Sequence, residues 1–274
     1  MGLITLTTDF GNKDHFVGSV KGALYTEIID VNIVDISHEI SPFNIIEGAY
    51  IIQNSYKNFP EGSIHIIGVD SEKTPEQNHI VMILDGHYFI CANNGIMSLI
   101  SSKINPEKII EINIHNDKST SFTVLDVFVK VAAHIYRGGS IDLVGKRIHE
   151  LKELYDINPI INEKNNEIIG NVIYIDNYEN VITNISKTVF DEFGKSRPYV
   201  INARNYKFES IVNSYSEAIK FNIKKEIRKE KNKDWLKYYF IPITLCMINY
   251  SLTGPPIIYL LIGFGYYSLL KLFK

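Results

Sequence analysis

The sequence predicts two domains: an N-terminal α/β domain whose parallel or mixed sheet is covered by helices on both faces, and a smaller C-terminal domain of short antiparallel strands, a small sheet or barrel. Three observations carry this. Apolar β-branched runs alternate with segments that are apolar every three and four residues up to about residue 136. Beyond about residue 165 the segments shorten and turn residues separate them. Between the two, residues 146–166 are charged and polar, contain Pro159 and read as a linker. The boundaries expected are 1–150 for the first domain, 165–218 for a partial second domain and 219–274 for an atypical tail, basic and then hydrophobic.

Residues 3–8 form an apolar run that reads as a buried strand, placing Asp9 at its carboxyl end with Thr7 and Thr8 beside it. A helix is expected after Gly11, with Phe16, Val17, Val20, Ala23 and Leu24 on one face; Asp14 falls where it begins, which suits a capping carboxylate. Residues 31–37 read as a strand ending in Asp35, Ser37 and His38, and Ser41-Pro42 opens a second helix. Residues 63–70 read as a third strand ending in Asp70, and two further strands meet at a tight Asp85-Gly86 turn. A short helix follows Asn93-Asn94-Gly95, then a strand over residues 108–114. A helix over 125–136 is closed by Arg137-Gly138-Gly139.

Composition narrows the function. The chain has 274 residues and a net charge of −3, so it can bury a sizeable core and shows no electrostatic footprint for nucleic acid. Its two cysteines sit in apolar runs, which fits a reducing compartment and argues against a disulfide frame. The first apolar stretch lacks a basic lead, so a cytoplasmic protein is expected. Neither GxGxxG nor GxxxxGK[ST] occurs, which argues against nucleotide phosphates; GxSxG and HExxH are also absent, and no metal site is expected. Carboxylates at the ends of successive strands, Asp9, Asp35 and Asp70, make a polar rim where open α/β sheets bind ligands. Such a rim suits a polyhydroxylated or cationic ligand better than a phosphate.

Five ordered motifs then point to a family: TTDFG-x-x-D, DISHEISPFNIIEGAY, GSIHIIGVD, ANNG and YIDNYENVITNI. Over residues 1–218 the chain resembles the S-adenosyl-L-methionine hydroxide adenosyltransferases, relatives of the chlorinase and fluorinase that attack the same substrate. The resemblance implies an α/β domain followed by a β-barrel, homotrimers with sites between subunits, no cofactor, and S-adenosylmethionine as substrate. It implies hydrolysis to adenosine and methionine, with a nucleoside-binding protein lacking turnover or a chloride-using halogenase as alternatives. By motif match Asp9 would accept from the ribose hydroxyls, Asp14 would line the same pocket, and Phe43 would place an aromatic near the ribose or sulfonium. Asn94 would join the substrate site, Asp176 would meet the methionine amino group, Tyr178 would lie near the base and Asn180 at the adenine edge.

The chain departs from the family where the water is prepared by an aspartate, an arginine and a histidine. Asp70 matches the aspartate, but the arginine position falls on Gln77 or Asn78 and the histidine position on Thr123; His79 and Lys73 are nearby substitutes. The fluorinase's halide-binding serine corresponds to Val124, which argues against fluorination. The ending departs as well. A lysine-rich run over 220–233 precedes two apolar stretches, 238–250 and 257–273, separated by Gly254-Pro255-Pro256. Three readings compete for this tail: a divergent ending, a membrane-seeking hairpin with a basic flank, and an altered reading frame.

Overall fold

Seven strands of the first unit lie in one sheet; counted along the chain, their order across it is second, first, third, fifth, fourth, sixth and seventh. The structure is a computed structural model that describes residues 2–114, 121–154, 158–178, 180–203, 206–208, 210–212, 214, 216–217, 244–249 and 257–262. The chain divides into two units, Met1–Tyr155 and Asp156–Lys274. The first runs β1 (Leu3–Thr8), α1 (Phe16–Glu27), β2 (Asn32–Ser37), α2 (Ile45–Gln53), β3 (Ile64–Gly68), β4 (His79–Leu84), β5 (His87–Ala92), α3 (Ile96–Ile100) and β6 (Lys108–Ile112). A π-helical turn, Val124–Phe128, then leads into α4 (Val129–Tyr136), followed by β7 (Gly145–Arg147). β1 is parallel to both β2 and β3, and β3 to β5, whereas β4 runs antiparallel to β5 and β6.

Both faces of the central strands are buried, which is why β1 and β3 carry few exposed polar positions, with Thr5, Thr7 and His65 buried among their apolar residues. Ile4, Leu6, Ile64 and Ile66 pack with Val20 and Leu24 of α1 and Val131 and Ala132 of α4. Ile67, Met82 and Phe89 point the other way, onto Ala49 and Ile52 of α2 and Ile96 and Met97 of α3. The Asp85-Gly86 turn takes φ of 54° and 74°, the left-handed pair that a tight hairpin needs, so Asp-Gly there has a mechanical reason.

Two helix starts differ from expectation. α1 begins at Phe16 with His15 as its N-cap and no acidic residue in its first turn, so Asp14 lies on an exposed bend before the helix and does not cap it. α2 begins at Ile45, not at Ser41-Pro42. The Asn44 side chain accepts from the Glu47 amide, and the Glu47 carboxylate reaches back to the Asn44 side chain and to the Ser41 amide. This reciprocal cap frees residues 41–43 to form the loop that carries Phe43.

The second unit contains hairpins β8 (Ile160–Asn162) with β9 (Glu167–Ile169) and β12 (Ile201–Ala203) with β13 (Tyr206–Phe208). Its main sheet has four strands in the order β10-β11-β15-β14, all antiparallel: β10 (Val172–Ile175), β11 (Asn180–Ser186), β14 (Thr244–Asn249) and β15 (Ile257–Ile262). A helix absent from the sequence reading, α5 (Lys187–Gly194), follows β11; the Ser186 hydroxyl caps it and Phe190 packs near Val181. The apolar tail stretches contribute β14 and β15, and β15 pairs antiparallel with β11, with an irregularity between Ile182 and Ser186. Among the described residues no helix is long and apolar enough to cross a membrane. The lysine-rich run lies outside the described residues.

A buried polar chain crosses the first unit. Thr5 Oγ1 lies 2.7 Å from His65 Nδ1, and His65 Nε2 lies 3.1 Å from His87 Nδ1. Burial, reinforced by His87, pushes the His65 imidazole down from 6.5 to about 3. The unfolded chain therefore takes up a proton there below its ordinary pKa while the folded chain refuses it until about pH 3. This contribution to stability is complete above about pH 6.5 and is lost as pH falls, at up to about 1.4 kcal/mol per pH unit. Urea midpoints measured at descending pH should fall across that window, less steeply for His65→Gln. An equal slope in the variant would assign the acid sensitivity elsewhere.

Candidate active site

β1 is the switch point of the sheet, because the chain leaves it to β2 on one side and then returns to β3 on the other. The crevice beyond its carboxyl end is where such sheets hold ligands. Asp9 follows β1, His38 follows β2, Val69-Asp70 follows β3 and Asn94 follows β5. Asp35 lies inside β2, where it meets Lys21 and His38, so it is not at the strand end expected of it.

One oxygen organises the crevice. Asp9 Oδ2 accepts from the Phe43 amide at 2.9 Å and from the Asp70 amide at 3.3 Å. Both donors have left-handed backbones, with φ of 63° and 45°, a conformation that costs a non-glycine residue about 1–3 kcal/mol. Asp9 thus ties two strained loops, one from each neighbouring strand. Among the described residues, no hydrogen bond is made to Asp9 Oδ1, which leaves it as an acceptor for a ligand hydroxyl. Phe43 is 73% exposed, so its ring is offered to a ligand or partner and not to the core.

The loop after β3 is held through its carbonyls. Asn94 Nδ2 donates to Val69 O at 3.0 Å and Asp70 O at 3.2 Å. Gln77 Nε2 donates to Asp70 O at 2.7 Å and Glu72 O at 2.9 Å. Thr123 Oγ1 donates to Ser71 O at 2.6 Å, and His79 Nε2 lies 3.0 Å from the same carbonyl. Gln77 and Thr123, expected in the water-preparing set, thus position the Asp70 loop. His79 does the same. Burial, outweighing the Ser71 carbonyl, holds the His79 pKa below its ordinary value, and the neutral ring packs edge-on against Phe128.

Asp70 is the chemically poised group. Its pKa is raised by burial and then by the negative Asp9, with Lys152 opposing both. A carboxylate so perturbed in a ligand crevice is the expected form of a base that must take a proton from water. The wall beside it is apolar and close. A Cβ on Gly68 would come within 3.0 Å of Phe10 Cζ and Val124 Cγ2, so only glycine lets β3 approach the π-helical turn. Val124 is fully buried there and brings no hydroxyl.

The second unit builds a separate turn from Asp176, Tyr178 and Asn180. Asp176 Oδ1 accepts from the amides of Tyr178 and Asn180, each at 2.8 Å, and the Asn180 side chain donates to Asp176 Oδ2. The carboxylate therefore closes the β10–β11 turn, with Asn180 buried and Tyr178 at 77% exposure on the tip. That exposure rules out core packing for Tyr178. His38 lies in the DISHEIS motif without an assigned role, although its ring meets Thr8 beside Asp9. Among the described residues no group of three His, Cys, Asp or Glu is arranged to hold a metal ion.

A strand-end carboxylate pair at the switch point of an α/β unit defines a small-ligand enzyme site, and the comparisons give it a family. Residues 4–145 match the SAM hydroxide adenosyltransferase N-terminal domain and residues 170–228 the C-terminal domain of the same family. The chain belongs to the SAM hydroxide adenosyltransferase family. An (R)-S-adenosyl-L-methionine hydrolase from Methanocaldococcus jannaschii is 34% identical over 193 residues, 68% of each chain. A fluorinase from Nocardia brasiliensis is 23% identical over 222 residues, covering 70% of this chain and 74% of its own. An uncharacterized conserved protein from Thermotoga maritima shares the fold, with a TM-score of 0.75 at 22% identity over 99% of this chain and 97% of its own.

Asp9→Asn tests the tie between the loops. The amide cannot present an acceptor to both backbone donors and to a ligand hydroxyl, and it lacks the charge that strengthens these bonds, a loss of roughly 1.5–3 kcal/mol. The amides of Phe43 and Asp70 should exchange faster with deuterium, and adenosine should bind more weakly. Unaltered exchange at both amides would show that the loops hold themselves.

Proposed function

We propose that this protein hydrolyses S-adenosyl-L-methionine to adenosine and methionine by attack of water at the ribose 5′ carbon. The observation that carries the reading is the Asp9–Asp70 pair: one carboxylate with a free oxygen for a ribose hydroxyl, the other raised in pKa beside it. The (R)-S-adenosyl-L-methionine hydrolase name of the 34% identical relative supports the substrate and favours the (R) configuration at sulfur.

The chemistry asks for placement more than for acid catalysis. The sulfonium leaves as a neutral thioether, taking the electron pair of the C5′–S bond, so no general acid is required. Water forms the C5′–O bond, and its proton passes to the Asp70 carboxylate and then to solvent. Asp70 suits this step because burial and Asp9 make it a stronger base than a free carboxylate. The carbonyl clamp of Asn94, Gln77 and Thr123 fixes the backbone from which it acts. Gly68, Phe10 and Val124 supply a dry wall, where a poorly solvated nucleophile reacts faster. The apolar Val124 gives no hydroxyl for stripping water from fluoride, which argues against fluoride as the nucleophile.

The substrate's other contacts belong to the same proposal. Phe43 lies against the ribose or sulfonium, where a cation over a ring face is favoured. Asp14 lines the ribose end, Asp176 takes the methionine amino group, and Tyr178 and Asn180 take the adenine. Closure of the second unit's sheet as a barrel and assembly into a homotrimer with sites between subunits complete it.

Incubation with each epimer of S-adenosylmethionine in heavy-oxygen water gives the decisive result. Adenosine should appear, carry the label and form faster from the (R) epimer, while methionine stays unlabelled. Tight adenosine binding with background turnover would assign a nucleoside-binding protein instead. The rate should fall on acidification through a pKa above the ordinary 3.8 of an aspartate, since Asp70 must be ionised to accept the proton. Asp70→Asn should lose that acid limb together with most of the activity.

A further inference from the structure

We infer that His38 is the positioning residue for the ribose-binding carboxylate: its buried ring holds Thr8, and through Thr8 the turn that carries Asp9. The inference rests on the ribose reading of Asp9. It adds a residue outside the crevice contacts, together with a line of polar contacts reaching from α1 to the turn that carries Asp9.

The line begins at Lys21 on α1, whose ammonium lies 2.5 Å from Asp35 Oδ2. Burial works to raise the Asp35 pKa, but Lys21 and His38 outweigh it and hold the carboxyl below its ordinary value, so Asp35 is an ionised acceptor. Its other oxygen lies 3.1 Å from His38 Nε2, close but off the line of a good hydrogen bond. That nitrogen is buried and faces the Asp35 carboxylate, so we assign a ring hydrogen to Nε2 and leave Nδ1 as the acceptor.

The rest of the line follows from this tautomer. Nδ1 is left as an acceptor, 2.8 Å from Thr8 Oγ1, so the threonine hydroxyl donates to it. The lone pairs of Thr8 Oγ1 are then available to the Phe10 amide, 3.4 Å away. His38 grips the same turn a second time, because its own carbonyl accepts from the Gly11 amide at 2.7 Å. Asp9 stands between these attachments, with its amide on Gly68 O at 3.3 Å. His38 is 4% exposed and Thr8 2%, so water does not compete for these bonds. Of the bonds that fix the turn, the one through the ring is made by a side chain whose length and tautomer can be altered.

Substitution divides the ring's two ends. Asparagine at 38 places an amide where Nδ1 stands and keeps the bond to Thr8. Glutamine reaches instead toward Asp35 and abandons Thr8. Thr8→Val keeps shape and removes the hydroxyl. We would measure thermal melting and the dissociation constants of adenosine and 2′-deoxyadenosine for the full chain and the variants H38N, H38Q and T8V. Wild type should prefer adenosine, and H38N should keep that preference. H38Q and T8V should bind adenosine roughly tenfold more weakly and 2′-deoxyadenosine nearly as before, as expected for one displaced buried hydrogen bond. Should H38Q fail to fold, T8V carries the test. Discrimination retained in T8V, or equal weakening for both nucleosides, would overturn the role of His38. Absence of adenosine binding by wild type would overturn the ribose reading itself, a result distinct from either.

Discussion

A single carboxylate oxygen that accepts two backbone hydrogen bonds sets the shape of this crevice. Asp9 Oδ2 draws the Phe43 and Asp70 amides together, and each belongs to a residue with a left-handed backbone. Neither loop would adopt that backbone unaided at no cost. The strain is tolerated because an ionised acceptor forms stronger bonds than a neutral one, and because both loops are anchored further along. The Asn44–Glu47 cap fixes the far end of the Phe43 loop, and Asn94, Gln77, His79 and Thr123 fix the carbonyls of the Asp70 loop.

That arrangement divides the carboxylate's labour. One oxygen is structural, and the other is available to a ligand. The same charge acts through space on Asp70, raising its pKa alongside burial. Geometry and basicity are thus coupled in one residue, and a substitution at Asp9 would disturb both. The absence of the family's arginine and histidine is easier to understand in this light. Gln77 and Thr123 reach backbone carbonyls, so Asp70 stands on a loop stiffened by hydrogen bonds.

How much of this was legible in the sequence differs from one residue to another. The alternation of strands and helices was plain because β1, β3, β4 and β5 bring apolar residues such as Ile4, Leu6, Ile64, Ile66, Ile80 and Phe89 into the core, and because Asp85-Gly86 makes a hairpin turn. Asp9 and Asp70 were legible for the same reason, since an aspartate closing an apolar run breaks a pattern. The Asn44 cap was hidden by Ser41-Pro42, a stronger local signal, although the Asn-x-x-Glu spacing was there to be read. α5 was missed because Val189, Phe190 and Phe193 lie in a short segment among β-branched strands, where only Ser186 marks the helix start. The roles of Gln77 and Thr123 could not be read at all. They depend on carbonyls separated from them in sequence, and side-chain-to-backbone bonds leave no pattern of residue types.

In the tail, composition and strand pairing say different things. Two apolar stretches around Gly254-Pro255-Pro256 look like a membrane hairpin by hydropathy, but each is short for a spanning helix. As antiparallel strands they need only a neighbour with free backbone groups, and β11 supplies one for β15. Without that neighbour β11 would present an open edge next to the Asp176–Asn180 turn, and an open edge invites pairing with another chain. The turn's geometry is set by backbone bonds to Asp176, so its precision depends on β10 and β11 staying in register. By covering β11, β15 therefore supports the turn that carries the YIDNYENVITNI motif.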